Sequence, residues 1–304
     1  MVRDDPPAVD NLTGSGEADA RNAAALQSEI EALRQEIAIL RRRDEMVHFY
    51  LHGLDEEMRL AARLQNDFLP KDLPSIGPVR FNALFRPCGY VSGDLYDVFR
   101  LDETHVGFYL ADAMGHGVPS ALLTLFLRTS LITKEIFSRG YRLLSPADAL
   151  SRLNAALVAQ DFSQTTFATA IYGVCDVTTL QVSLAQAGHP RPLLIPGDPA
   201  LPVRELELSS GALLGVFPQE VYHHTTIQLS AGDRIILHSD GIETVFRDEP
   251  NVEQPWQEEL ARRRNQDTAA LLAEFSTRLD AQSGSLQPKD DLTVIALDVE
   301  KPSA

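Results

Sequence analysis

Leu26, Ile30, Leu33, Ile37 and Leu40 are spaced alternately four and three residues apart, and after a charged break at Asp44 the rhythm resumes at Val47, Leu51, Leu54 and Met58. This is the a/d seam of a coiled coil, and it predicts one helix over residues 21–66. At 1.5 Å per residue, about forty residues make a rod roughly 60 Å long. So long a seam cannot bury itself on a lone helix. It needs a partner helix, supplied by a second copy in a homodimer or by the body of the same protein. His48 and His52, at i and i+4, read as a solvated pair because no third ligand lies nearby. Pro70, Pro74 and Pro78 forbid continuation of the helix, so a separate domain is expected over residues 67–304. Residues 1–20 mix Pro, Gly, Asp and Ser without periodicity and read as a disordered tail.

Beyond the prolines the pattern changes. VRFNALFRP, HVGFYLAD, FATAIYGVCDV, QVSLAQAG, DRIILHSD and DDLTVIALDV are short β-rich runs with alternating stretches. VPSALLTLFLRTSLITKEIF, SPADALSRLNAALVAQ and DTAALLAEFSTRL have helical spacing. Ser145 is the expected N-cap of the second of these, with Pro146 at its first position and Asp148 favourable to its dipole. Strands that follow one another with few helical crossovers predict antiparallel sheets covered by helices, an α+β layered domain.

Composition narrows the function. A formal charge of −16 excludes a nucleic-acid binder, because phosphate backbones are held by clustered Lys and Arg. The triplets Arg41–Arg43 and Arg262–Arg264 read as solvated helix faces. Cys88 and Cys175 are the only two cysteines, which supports neither a disulfide framework nor a thiolate zinc site and fits a reducing cytoplasm. No apolar run approaches the roughly 20 residues of a membrane helix, and no signal pattern opens the chain, so membrane insertion is not expected.

Four aspartates share one context, at or beside a predicted strand end and next to glycine or another aspartate: Asp94 in SGDLYD, Asp112 in ADAMGHG, Asp240 in HSDGIE and Asp290 in KDDLTV. Each has a plain reading as a turn or strand-start residue, Asp240-Gly241 as a hairpin turn above all. Together, without thiolates or a histidine trio, they are the oxygen donors that Mg2+ or Mn2+ prefers over Zn2+. Two such ions roughly 3.5–4 Å apart can clamp an in-line displacement at phosphorus. Other chemistries lack their motifs. The chain has no phosphate loop of the G-x-x-x-x-G-K-[ST] type, no H-E-x-x-H and no G-x-S-x-G. His238, Ser239 and Asp240 alternate in direction along a strand and make no triad. Gly115-His116-Gly117 reads as a glycine-flanked helix start that lets the backbone approach a metal shell.

Read together, these segments resemble the bacterial PPM-type serine/threonine phosphatases of the SpoIIE-like class, which include regulators of sigma-factor partner switching. SGDLYD is similar to the family's glycine-glycine-Asp-aromatic-Tyr-Asp motif, and DAMGHGVPSALL to its Asp-x-x-Gly-His-Gly-x-x-Ala-Leu motif. FATAIYGVCD, AGHPRPLL, LLGVF, LHSDGIET and KDDLTVIAL follow in the family's order, and LQNDFLP resembles the helix end that precedes its catalytic domain. Ser92 stands where the first glycine is commoner, and Met114 where a small residue is frequent. Neither change removes a ligand oxygen.

The resemblance implies a sandwich of two antiparallel β-sheets flanked by helices, with two Mn2+ or Mg2+ ions between the sheets. Asp94, Asp112, Asp240 and Asp290 would ligate them with the main-chain carbonyl of Ala113; Asp97 would stand in the surrounding shell, and the choice between Asp290 and Asp291 is open. It implies hydrolysis of phosphoserine or phosphothreonine on a regulatory protein, an anti-anti-sigma-type substrate leading, by a metal-bridging water and without a phosphoenzyme. The alternative is a non-catalytic, dimeric partner-binding regulator on the same fold. An N-terminal helix in such relatives commonly dimerises and governs activity, so the coiled coil is expected to do this or to recruit an upstream activator.

Overall fold

The computed structural model describes residues 13–160, 162, 166–245, 255–281 and 290–301. Helix α1 spans Thr13–Phe68, so helix formation starts eight residues earlier than the expected boundary at 21. Of the tail expected at residues 1–20, residues 1–12 lie outside the described residues and the rest is helical. The chain divides into two compact units, Met1–Glu57 and Met58–Ala304. The second unit therefore begins inside α1, nine residues before the expected domain start at 67.

In the first unit the seam side chains from Leu26 to Leu54 are 46–59% exposed. In the second, β1 (Ser75–Ile76), β2 (Val79–Arg86), β3 (Asp94–Arg100) and β4 (His105–Ala113) lead into α2 (Val118–Ser130). The hairpin of β5 (Lys134–Phe137) and β6 (Gly140–Leu143) precedes α3 (Pro146–Val158). There follow β7 (Ala168–Asp176), β8 (Gln181–Ala187), β9 (Leu193–Ile195), β10 (Arg204–Glu205), β11 (His224–Gln228) and β12 (Arg234–His238). Helices α4 (Ile242–Val245), α5 (Pro255–Arg262) and α6 (Thr268–Ala281) and strand β13 (Leu292–Val299) complete the described elements.

Apart from the β5–β6 hairpin, the described strands form two sheets with antiparallel ladders: β1-β2-β13-β12-β9-β10 and β11-β8-β7-β4-β3. Strand alternation sorts the side chains into layers. Tyr96, Val98, Phe108, Leu110, Ile171 and Leu184 of one sheet meet Phe81, Leu237, Ile295 and Leu297 of the other. The opposite face of the five-stranded sheet, through Tyr109, Ala111 and Tyr172, packs on Leu123 and Leu127 of α2 and Leu150, Leu153 and Leu157 of α3. Ile236, Val294 and Ala296 pack the six-stranded sheet on Leu271, Leu272 and Phe275 of α6. The result is the expected α+β sandwich of two antiparallel sheets flanked by helices.

Local signals acted as anticipated at α3, where the Ser145 hydroxyl accepts a hydrogen bond from the Asp148 N–H at 3.1 Å. They failed at the run expected to be helical from Val118 to Phe137. The helix stops at Ser130, Leu131 is extended (φ −71°, ψ 105°), and Lys134–Phe137 form a strand. Ile132, Thr133 and Ile136 are β-branched and favour that outcome.

Candidate metal centre

Asp94 opens β3 and Asp112 lies near the end of β4, directly opposite each other in the antiparallel register. By alternation both share the inner face with Tyr96, Val98, Phe108 and Leu110, so they project between the sheets. Asp94 is 2% exposed and Asp112 is half-buried. Burial, then the neighbouring Asp112 charge, push the Asp94 carboxyl well above the usual range, against hydrogen bonds from Thr293 and Ser239 that hold it down. The Asp112 carboxyl is pushed up to about 7, first by burial and then by the charges of Asp240, Asp290 and Asp291. Asp112 therefore lies within electrostatic reach of Asp94, Asp240 and Asp290, the other predicted side-chain ligands.

The turns at the strand ends explain how they meet. Gly115 and Gly117 have φ of +90° and +79°, the left-handed region that glycine enters freely, and they bend the chain from Asp112 into α2. Gly241 follows Asp240 so closely against the other loop that a Cβ there would lie 1.8 Å from the Asp291 carbonyl oxygen. Asp240-Gly241 is thus no hairpin turn; it leads into α4 while touching the Asp290–Asp291 loop. A Cβ on Gly93 would stand 3.2 Å from the carbonyl oxygens of Ala113 and Gly115. The Ala113 carbonyl consequently faces the loop that carries Asp94.

Several supporting residues were not anticipated. Thr293 of β13 donates to Asp94 Oδ2 at 2.7 Å across the sandwich. The Ser239 hydroxyl accepts from the Thr293 N–H at 3.0 Å. Both are fully buried. Thr293 lies two residues beyond Asp291 on the same strand face, and that alternation was the signal that could have found it. Ser92 Oγ accepts the Asp94 N–H at 3.0 Å, so the serine in place of glycine braces the first carboxylate. Ser92 is itself clasped by Gln65 near the end of α1, whose Nε2 donates to its carbonyl at 2.7 Å and whose Oε1 accepts its N–H at 2.8 Å.

Asp291 and Asp290 differ sharply. Asp291 is 7% exposed, and its two oxygens accept the N–H groups of Cys88 and Gly93, each at 2.6 Å. Asp290 is exposed; its Oδ1 accepts the Asp291 N–H at 2.9 Å. Burial, and then Asp291, push the Cys88 thiol up to about 12, which leaves it un-ionised at neutral pH. Asp97 departs from its expected place. It shares the outer face of β3 with Phe99, away from Asp94, and pairs with Arg128 of α2 at 2.9 Å.

Among the described residues no three His, Cys, Asp or Glu side chains are already drawn together as a ligand cluster. The fit to a divalent cation rests on the donor chemistry instead. Mutually repelling carboxylates with a facing main-chain carbonyl suit a hard ion such as Mg2+ or Mn2+.

The fold and the sequence have known counterparts. The structure is similar to the SiaA-PP2C domain of Pseudomonas aeruginosa, with a TM-score of 0.65 and 22% identity over 82% of this chain and 98% of that one. The sequence is 28% identical to phosphoserine phosphatase RsbP of Bacillus subtilis (strain 168) over 61% of this chain and 45% of RsbP. It is 27% identical to phosphoserine phosphatase RsbU of the same organism over 82% of this chain and 73% of RsbU. The chain therefore spans less than half the length of the first of these relatives. The family described as Stage II sporulation protein E (SpoIIE) matches residues 102–300, a stretch that includes Asp112, Asp240 and Asp290 and covers well over half of the sequence, and the chain belongs to that family.

Proposed function

We propose that this chain is a Mg2+- or Mn2+-dependent phosphatase that removes phosphate from serine or threonine of a regulatory protein. The observation that carries the reading is the Asp94–Asp112 pair between the sheets, with Asp240, Asp290 and Asp291 acting on Asp112. Asp94, Asp112, Asp240, Asp290 and the Ala113 carbonyl would hold two ions. Bound divalent cations supply charge neutralisation and the activation of water for in-line attack at phosphorus. The chain's own contribution is placement. Thr293 and Ser92 fix Asp94 from two sides, and Asp291 spends both oxygens on bracing the Cys88–Gly93 loop, which favours Asp290 as the ligand.

A phosphoserine protein as substrate is supported by the relatives named phosphoserine phosphatases, and an anti-anti-sigma-type protein by the family resemblance. The exposed seam of α1 suits a second copy of the chain in a cytoplasmic homodimer or an upstream activator. The test is phosphate release from phosphoserine peptides and p-nitrophenyl phosphate by the purified chain with Mn2+, with Mg2+ and with chelator. Release that depends on the metal and is lost in Asp112→Asn and Asp240→Asn supports the reading. Wild-type protein that binds neither ion and releases nothing refutes it, and leaves the partner-binding regulator.

A further inference from the structure

Asp94, Asp112 and Thr169 form one row across three neighbouring strands, because Asp112 is opposite Asp94 on β3 and opposite Thr169 on β7. Neighbouring strands lie about 4.8 Å apart, so Thr169 is the next side chain in the row of carboxylates. It shares the inner face with Ile171 and is, like Asp112, only half-buried. Its hydroxyl lies 2.7 Å from Nδ1 of His189. His189 is 5% exposed and stands where the chain crosses from β8 of one sheet to β9 of the other.

The environment fixes the state of this imidazole. Burial, and then the neighbouring His238, lower it to about 3, so the ring is neutral and carries one N–H. Nε2 is buried and meets no partner in hydrogen-bond geometry, while the ring also feels the carbonyl of His238. Nδ1 is engaged with the Thr169 hydroxyl, which this contact holds at the half-buried cleft beside Asp112. His238 ends β12, two residues before Asp240. The ring thus spans from the strand beside Asp112 to the strand that delivers Asp240.

We propose that His189 is a positioning residue that orients the Thr169 hydroxyl toward the attacking water, and that it ties the Asp112 side of the centre to the Asp240 side. The inference rests on the phosphatase reading above. A buried structural histidine would bear on stability; this arrangement bears on turnover.

The test measures kcat and KM for p-nitrophenyl phosphate with saturating Mn2+, Mn2+ affinity by calorimetry, and Tm, in the full chain. Thr169→Val, nearly isosteric, is expected to lower kcat about tenfold or more, the size of effect typical of residues that support a metal site, with KM and Tm little changed. Thr169→Ser should restore most of it. His189→Asn, whose amide reaches the Nδ1 position, should retain more activity than His189→Gln, whose amide reaches the Nε2 position. Thr169→Val combined with His189→Gln should be no slower than the slower single variant. Wild-type kcat in Thr169→Val, or losses that multiply in the double variant, would overturn the proposal even if the His189 variants fail to fold. An inactive wild type would sink the phosphatase reading itself, and is told apart by the absence of any rate to perturb.

Discussion

Two carboxylates directly opposite on neighbouring antiparallel strands repel, and such pairs destabilise a sheet by some tenths of a kcal/mol up to about 1 kcal/mol. Asp94 and Asp112 occupy that arrangement with further acidic neighbours, so the site strains the metal-free fold in favour of cation binding. Asp112→Asn is therefore expected to raise Tm of the chelator-treated protein by about 2–4 °C, the response to roughly 1 kcal/mol in a domain of this size, while abolishing Mn2+-dependent turnover. Scanning calorimetry beside a phosphate assay checks both halves. Thr293→Val removes the donor to Asp94 Oδ2 and should cost about 10–100-fold in Mn2+ affinity or activity. Gly241→Ala sets a methyl 1.8 Å from a backbone oxygen and should lower stability by about 1–3 kcal/mol, read from denaturant unfolding. At this scale the strand-end placement of Asp94, Asp112 and Asp240 was legible in the sequence, because strand-end context is a local property. The sequence left Asp290 and Asp291 undecided for a physical reason: adjacent side chains on an extended chain point in different directions, and only the contacts with Cys88 and Gly93, about 200 residues away, separate them.

Helix α1 shows how far an element can be read from periodicity alone. The four-and-three spacing falls on one continuous helix but did not mark its start at Thr13, since propensity without apolar spacing gives a weak boundary. The two-residue strands β1 and β10 were missed because so short a stretch holds too little alternation to register, and β5–β6 was absorbed into the preceding helical run, whereas the alternation after His223 does form β11. The strongly patterned strands β2, β4, β7, β8, β12 and β13 all stand within a few residues of their expected limits. Gln65 belongs to the compact unit that starts at Met58. Truncation before Met58 is accordingly expected to leave a folded body, monitored by circular dichroism. Gln65→Ala leaves two buried backbone groups of Ser92 without their partners and should cost about 1–3 kcal/mol, a loss measurable as a lower urea midpoint.

Over the whole molecule, a formal charge of −16 sets carboxylates against one another, and the fold offsets part of this through turns that hold them ionised. For Asp102, burial acts upward but is outweighed by the Thr104 N–H, His105 and Tyr141, so its carboxyl lies well below the usual range. For Asp176, burial is likewise outweighed by Thr178 and Thr179, and its carboxyl is held at about 2. A depressed carboxyl stabilises the fold above its unfolded pKa near 4 and loses that contribution as pH falls through the folded value. Stability attributable to these two turns is thus expected to fade below about pH 4, and Asp102→Asn with Asp176→Asn should flatten the acid limb of Tm against pH.

The position of β13 has a consequence in time. It lies between β2 and β12 in the six-stranded sheet, although it comes after all the other described strands in sequence, and it carries Thr293 to Asp94 across 199 residues of sequence. A ribosome-bound chain that has not yet released Val299 holds two strands apart around a gap and cannot brace its first carboxylate. A chain made only as far as β12 therefore lacks both the middle of one sheet and the donor to Asp94 until β13 emerges.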